Sequence, residues 1–273
     1  MLVGFALAVS AAVAAGICFW TDAFASLMWL WVLPVSFLGT FLVMGLLAFL
    51  FLLLIGAMVR LDEPQEIPSP FYRTVASLYA GAILWILQAR VHTRGLENIP
   101  KDGRFLLVCN HLHDLDPVTL LAYFKKSQLI FISKRENEER FAIGKVLHKF
   151  ALPINRENDR EALKTILTCV RMLNEDIGSV AVFPEGYCSP DGRFQSFRNG
   201  VFKIAQKSNV PIVVCTIQNT QHLYGNAMRL RPTHVHLHLL TVIPPEELKG
   251  VTTIQIGDRI HALMAADLGE ENT

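Results

Sequence analysis

Hydrophobic and polar positions divide the chain into two unlike parts. Leu2–Trp20 is 19 residues long and carries no charge, so a helix there spans about 28 Å, one hydrocarbon core. After the polar break Thr21-Asp22 the apolar character returns and persists to Val59. As one helix Ala23–Val59 would be about 55 Å long, too long for a single core, and Pro34 offers a division. The pattern predicts an interfacial entry over Ala23–Leu33, with Trp29 and Trp31 at the depth aromatic rings favour, then a second span over 35–59. From Val91 onward short apolar runs alternate with helix-period segments. Phe105–Cys109, Leu129–Ser133, Ser179–Phe183, Pro211–Ile217 and Val235–Val242 read as strands. Leu163, Ile166, Leu167, Val170 and Leu173 share one helical face behind the cap pair Asn158 and Glu161, and Thr252–Leu268 reads as a closing helix. Alternating strands and helices predict an α/β domain with a largely parallel central sheet flanked by helices.

Three regions follow: a membrane anchor over 1–60, with spans at 2–20 and 35–59; a linker and interfacial helix over 61–90; and a catalytic domain over 91–273. Asp62–Pro70 holds Pro64, Pro68 and Pro70 and is a stiff connector. Phe71–Ala89 carries Arg73 near its start, and the stretch after it, Thr74–Ala89, is only 16 residues, short for a span. It is read as a helix lying in the interface or packed under the domain, lining lipid entry with Leu78 and Ile83; a plain core helix is the alternative.

Charge sharpens the division. The segment 1–59 holds one charged residue, Asp22, while 60–273 holds all 25 Lys and Arg. A signal peptide would need a basic start, and none precedes Leu2. With Arg60 and Arg73 after the second span and no basic residue in the first loop, the positive-inside rule predicts a multi-pass membrane protein whose globular domain faces the cytoplasm. A net charge of +1 gives no field to hold nucleic acid. The five cysteines, without zinc or redox spacing, are expected to be separate thiols in a reducing compartment.

Candidate chemistry sits at strand ends. Asn110-His111-Leu112-His113-Asp114-Leu115-Asp116-Pro117 follows the 105–109 run, where α/β folds place their sites. If a helix begins here, Asp116 reaches His111, fixes its tautomer and leaves Nε2 as a base. A capped helix start with surface histidines explains this spacing equally well. His111-x-His113 lacks the further ligands a metallohydrolase loop needs, so no metal is expected. His234, His236 and His238 share a strand face and read as a solvated edge. Phe183-Pro184-Glu185-Gly186 follows the 179–183 run in the same manner. Lys134, Arg135, Arg156, Arg160 and Arg198 are candidates to converge on an anion.

The order of these blocks resembles the glycerolipid acyltransferase family, in particular 1-acyl-sn-glycerol-3-phosphate acyltransferases. Gly95-Leu96-Glu97-Asn98-Ile99-Pro100 leads into Asn110-His111 and Asp116, which look like the family's Asn-His-x-x-x-x-Asp motif. Ile143-Gly144 with Ile154-Asn155-Arg156, then Phe183-Pro184-Glu185-Gly186, then Val210-Pro211-Ile212-Val213-Val214 resemble its later blocks, and Phe197-Arg198-Asn199-Gly200 resembles its basic segment. The third block departs after Gly186: Tyr187-Cys188-Ser189 stands where Thr-Arg-Ser is usual. The resemblance implies acyl transfer from an acyl-CoA or acyl carrier protein thioester to lysophosphatidate, with no cofactor. It implies His111 as base, Asp116 as its orienter, and backbone amides near the motif for the oxyanion. Arg156, with Lys134 or Arg198, would hold the phosphate, and Glu185 and Gly186 would bind the acceptor or support the site. Another lysophospholipid acceptor, or a lipid-binding protein of the same fold without turnover, are the alternatives.

Overall fold

The computed structural model describes residues 1–60, 69–134, 136–137, 144–155, 158–189 and 193–269. Pro64, Pro68, Arg135, Ile143 and Arg156 lie outside them. Two helices come first, α1 (Leu2–Trp20) and α2 (Trp29–Ala57), both long and apolar enough to cross a membrane. The buried stripe of α1 is Ser10, Ala14 and Cys18, small side chains four apart that let a neighbouring helix approach closely. The second span was expected to begin at Val35, but its helix starts at Trp29 and runs through Pro34. The expected entry segment is a 3-10 turn, Ala23–Ala25, followed by the first turns of α2. One missing amide does not end a helix whose other backbone groups have no better partner in apolar surroundings.

Next comes α3 (Pro70–Ile86), with Pro70 at a position where its fixed φ suits a helix start. Tyr72 donates its hydroxyl to the Ile55 carbonyl at 3.2 Å and Tyr79 to the Ala48 carbonyl at 2.5 Å. Thus α3 runs antiparallel to the end of α2, and the last turns of α2 join the packing of the globular part. Val75, Ala80 and Leu84 are buried in the core beneath the sheet. Buried Arg73 donates Nη1 to the Leu129 carbonyl at 2.9 Å; burial, with Arg104 nearby, pushes its guanidinium down to about 10.

The remaining elements are β1 (Ala89–Arg94), β2 (Leu106–Cys109), α4 (Asp116–Tyr123), β3 (Leu129–Lys134), α5 (Gly144–Leu147), β4 (Ala151–Ile154), α6 (Asp159–Asn174), β5 (Ser179–Val182), α7 (Lys203–Ser208), β6 (Ile212–Gln218), α8 (Leu223–Met228), β7 (Thr233–Ile243) and α9 (Thr253–Leu268). Asn158 caps α6 by accepting from the Arg160 and Glu161 amides, and Thr252 with Gln255 forms a capping box on α9. Among the described residues seven strands form one sheet in the order β1-β7-β6-β2-β5-β3-β4. The five from β6 to β4 are parallel; β7 is antiparallel to β6 and parallel to β1.

Alternation along the strands builds two cores. Leu107, Cys109 and Ala181 face the side covered by α3 and α4, whereas Leu106, Val108, Val180 and Val182 face the side covered by α6, α7 and α9. Both faces are covered, so β2 and β5 are buried throughout and read as unbroken apolar runs. Gly95, at φ +76°, carries the chain off β1, and a Cβ there would run into the Leu239 carbonyl oxygen. Because that obstacle is backbone, Gly95→Ala should cost about 3 kcal/mol, the sum of left-handed strain and overpacking. Denaturant unfolding measures it.

On the exposed face of the β1–β7 edge His92 joins the three alternating histidines. Its Nε2 lies 2.8 Å from His234 Nδ1, its ring stacks on His234 and His236, and His238 Nδ1 meets Asp267 at 3.0 Å. Among the described residues no group of three or more His, Cys, Asp or Glu is placed to hold a metal ion. Burial and the neighbouring imidazoles hold His236 below its ordinary 6.5, against the pull of Asp267. The unfolded chain therefore binds this proton more readily, and stability falls as pH drops below about 6.5. The melting temperature should decline between about pH 7.5 and 5.5, and His236→Gln should flatten that decline.

Candidate active site

The topology explains why distant motifs meet. β2 lies between β5 and β6, parallel to both, with Val108 beside Val182 and Cys109 beside Cys215. Residues leaving the carboxyl ends of these three strands therefore emerge together: Asn110-His111 from β2, Phe183–Glu185 from β5 and Asn219-Thr220 from β6. Buried Asn110 locks the first of these in place. Its Nδ2 donates to the Ile217 carbonyl at 2.9 Å, and its Oδ1 accepts from the Ile217 amide at 2.7 Å.

Asp116, fully buried, opens α4. Its Oδ2 lies 2.8 Å from His111 Nδ1 and accepts from the Leu112 and His113 amides at 2.7 and 2.8 Å, while its Oδ1 accepts from the Thr220 hydroxyl. One carboxylate thus both folds the loop and orients the imidazole. The His111 ring stacks on Phe183, with centroids 4.1 Å apart. Thr220 stands 104 positions beyond Asp116, and no local sequence pattern marks it as a partner.

Glu185 is buried behind the imidazole. Its Oε1 accepts from the His111 amide at 2.7 Å and its Oε2 from the Gln195 amide at 3.0 Å. Burial pushes this carboxyl up to about 7; the two amides pull it down and Asp116 pushes it up. Both oxygens are engaged by backbone, which favours the supporting role over contact with the acceptor. The amides of His111, Leu112 and His113 are likewise committed to carboxylates, so these three do not form the expected oxyanion site. Gly186 turns at φ +83°, where a Cβ would lie 2.9 Å from Arg198 Nε.

His111, Gly186, Lys134 and Arg198 line one cavity of about 260 Å³. Its walls are mainly apolar: Leu52 of α2, Ala76, Tyr79, Ala80 and Ile83 of α3, Val118 and Leu121 of α4, and Phe131, Phe150 and Ile154. Ile83 is on the wall as expected, but Leu78 is not, because the helical repeat gives that face to positions 76, 79, 80 and 83. Lys134 Nζ pairs with Glu136 at 3.2 Å. The structure thus unites four of the seven residues expected at the site around one cavity, with Asp116 and Glu185 directly behind; Arg156 lies outside the described residues.

Residues 90–218 match the acyltransferase family model. That segment is similar to the acyltransferase family. The chloroplastic 1-acyl-sn-glycerol-3-phosphate acyltransferase LPAT1 of Arabidopsis thaliana is 33% identical to this chain over 172 residues, covering 62% of the chain and 47% of the plant protein. A 1-acyl-sn-glycerol-3-phosphate acyltransferase of Borreliella burgdorferi is 24% identical over 160 residues, covering 58% of this chain and 64% of its own. The chain spans about half the length of the chloroplastic relatives from Arabidopsis thaliana and Brassica napus. The crystal structure of the 1-acyl-sn-glycerophosphate acyltransferase PlsC from Thermotoga maritima shares the fold, with a TM-score of 0.60 and 23% identity over 81% of this chain and 92% of that one. The matched segment contains the His111–Asp116 pair, Glu185 and the strands that bring them together.

Proposed function

We propose that this chain transfers a fatty acyl group from an acyl thioester to the free hydroxyl of lysophosphatidate, forming phosphatidate. The carrying observation is the imidazole of His111, held by buried Asp116 at 2.8 Å and lining an apolar cavity that also holds Lys134 and Arg198. Asp116 keeps the proton on Nδ1, so Nε2 takes the proton of the acceptor hydroxyl. The alkoxide attacks the thioester carbonyl, the tetrahedral intermediate collapses, and the departing thiolate takes the proton back from His111. Lys134 and Arg198, with Arg156 from the family motif, bind the acceptor phosphate. Glu185 and Gly186 hold the loop on which the imidazole sits. Acyl-CoA or acyl carrier protein is the donor, and the reaction requires neither a metal nor a resident cofactor.

The apolar helices fit a lipid substrate. We place α1 and α2 across the bilayer as a hairpin, with exposed Trp20, Phe24, Trp29 and Trp31 at its far interface. Asp22 is then outside, and Arg60 with the catalytic domain is on the cytoplasmic side. The cavity wall from α2 and α3 takes the acyl chain. Ala76→Phe, which narrows this wall, should lower kcat/KM for oleoyl relative to octanoyl thioesters by about tenfold, since shape selection in apolar pockets works at that scale.

The test is a panel of acceptors given to the purified chain with one donor. Lysophosphatidate should give the highest kcat/KM. Preference for a lysophospholipid with a larger head group would move the acceptor assignment; binding of lysolipid with no turnover on any member would favour a lipid-binding protein.

A further inference from the structure

Cys188 follows the Phe183–Gly186 block by two positions, and the mechanism above does not use it. Four of the five cysteines, Cys18, Cys109, Cys169 and Cys215, are completely buried. Burial pushes the thiols of Cys109 and Cys215 up, and that of Cys169 up to about 12. Cys188 alone is partly exposed, and its Sγ lies 3.0 Å from His111 Nε2. The loop is held there by the Ser189 amide, which donates to the His111 carbonyl at 3.0 Å. Thiol, imidazole and the Asp116 carboxylate thus stand in line, the arrangement in which a base activates a sulfur nucleophile. Sγ also donates to Asp114 Oδ1 at 3.6 Å, a carboxylate that disfavours a thiolate and lies farther away than the imidazole.

We propose that Cys188 is a peroxide-sensitive modification site: its thiol, activated by His111, is oxidised to a sulfenic acid that occupies the base. The proton passes from Sγ to Nε2, and the imidazolium remains beside Asp116. The thiolate attacks one peroxide oxygen; the S–O bond forms and the O–O bond breaks. Hydroxide leaves and collects the proton from Nε2 as water, so sulfur is oxidised by two electrons and the peroxide is reduced. The new oxygen sits against Nε2, where the acceptor hydroxyl must bind. Loss of acyl transfer on oxidation rests on the function proposed above; the reactivity of the thiol does not.

The experiment uses the full chain in detergent micelles. Iodoacetamide labelling of each cysteine is followed by peptide mass spectrometry, with glutathione in the same tube as reference. Cys188 should react about tenfold faster than glutathione, and His111→Asn should remove that advantage. Should that variant fail to fold, Asp116→Asn supplies the same comparison. Hydrogen peroxide should then produce a dione-trappable sulfenic acid at Cys188. Ester formation should fall in parallel and return with dithiothreitol, while Cys188→Ser should keep its own starting rate in peroxide. A Cys188 no faster than glutathione, or equally fast without the imidazole, overturns the activation. Full ester formation by the oxidised chain overturns the blockade. A chain that makes no ester before oxidation refutes the proposed function instead, and the labelling still decides the thiol.

Discussion

His111→Ala should lower ester formation by about 10²–10⁴-fold, the range a positioned general base contributes. The loss should appear in kcat more than in KM, because Nε2 acts on the hydroxyl as it reacts and does not grip the phosphate or the acyl chain. The fold should survive. The backbone amide of His111, which carries the bond to Glu185, is retained in alanine, and the lost ring contact with Phe183 lies at the cavity wall. Steady-state rates with circular dichroism on the same preparation check both halves. A variant that keeps most of its rate would remove His111 from the chemistry.

Asp116 allows orientation and loop structure to be separated. Asparagine can place its carbonyl oxygen where Oδ2 now accepts from His111 Nδ1 and the Leu112 and His113 amides. Its NH₂ then faces Thr220, whose hydroxyl can turn to accept. Asp116→Asn should therefore fold with little loss of stability while its rate falls by about 10²-fold or more, since the imidazolium formed in the reaction loses its counter-charge. Asp116→Ala leaves two loop amides and a buried hydroxyl without their acceptor, at about 1–3 kcal/mol for each. It should lose stability as well as activity. Equal melting temperatures for the two variants would contradict the loop-folding role of the carboxylate.

The residues that were legible in sequence are those whose signal is local. β2 and β5 announce themselves as short apolar runs because both sheet faces are covered, and each carries its motif at its carboxyl end. The His111–Asp116 pair lies within one turn of a helix start, so spacing alone suggests its contact. β1 and β4 were not separated from their surroundings: β1 follows α3 after two residues and carries four exposed polar side chains, and β4 contains Pro153. Pro34 was a misleading stop, since its effect on a helix depends on surroundings that a run of letters does not describe. Thr220 and the Cys188 contact depend on which strands are neighbours, and strand order is not written in any one segment. The motif marks Glu185 but not its partners: the His111 amide comes from the neighbouring strand's loop, and the Gln195 amide from ten residues further along its own connection.

The most direct test of the central claim is to supply the purified full chain with oleoyl-coenzyme A and lysophosphatidate in the presence of a chelator, and to follow both products. The account predicts that phosphatidate and free coenzyme A appear in equal amounts, unaffected by the chelator. Free coenzyme A with oleate in place of phosphatidate, or turnover that the chelator abolishes, would contradict it.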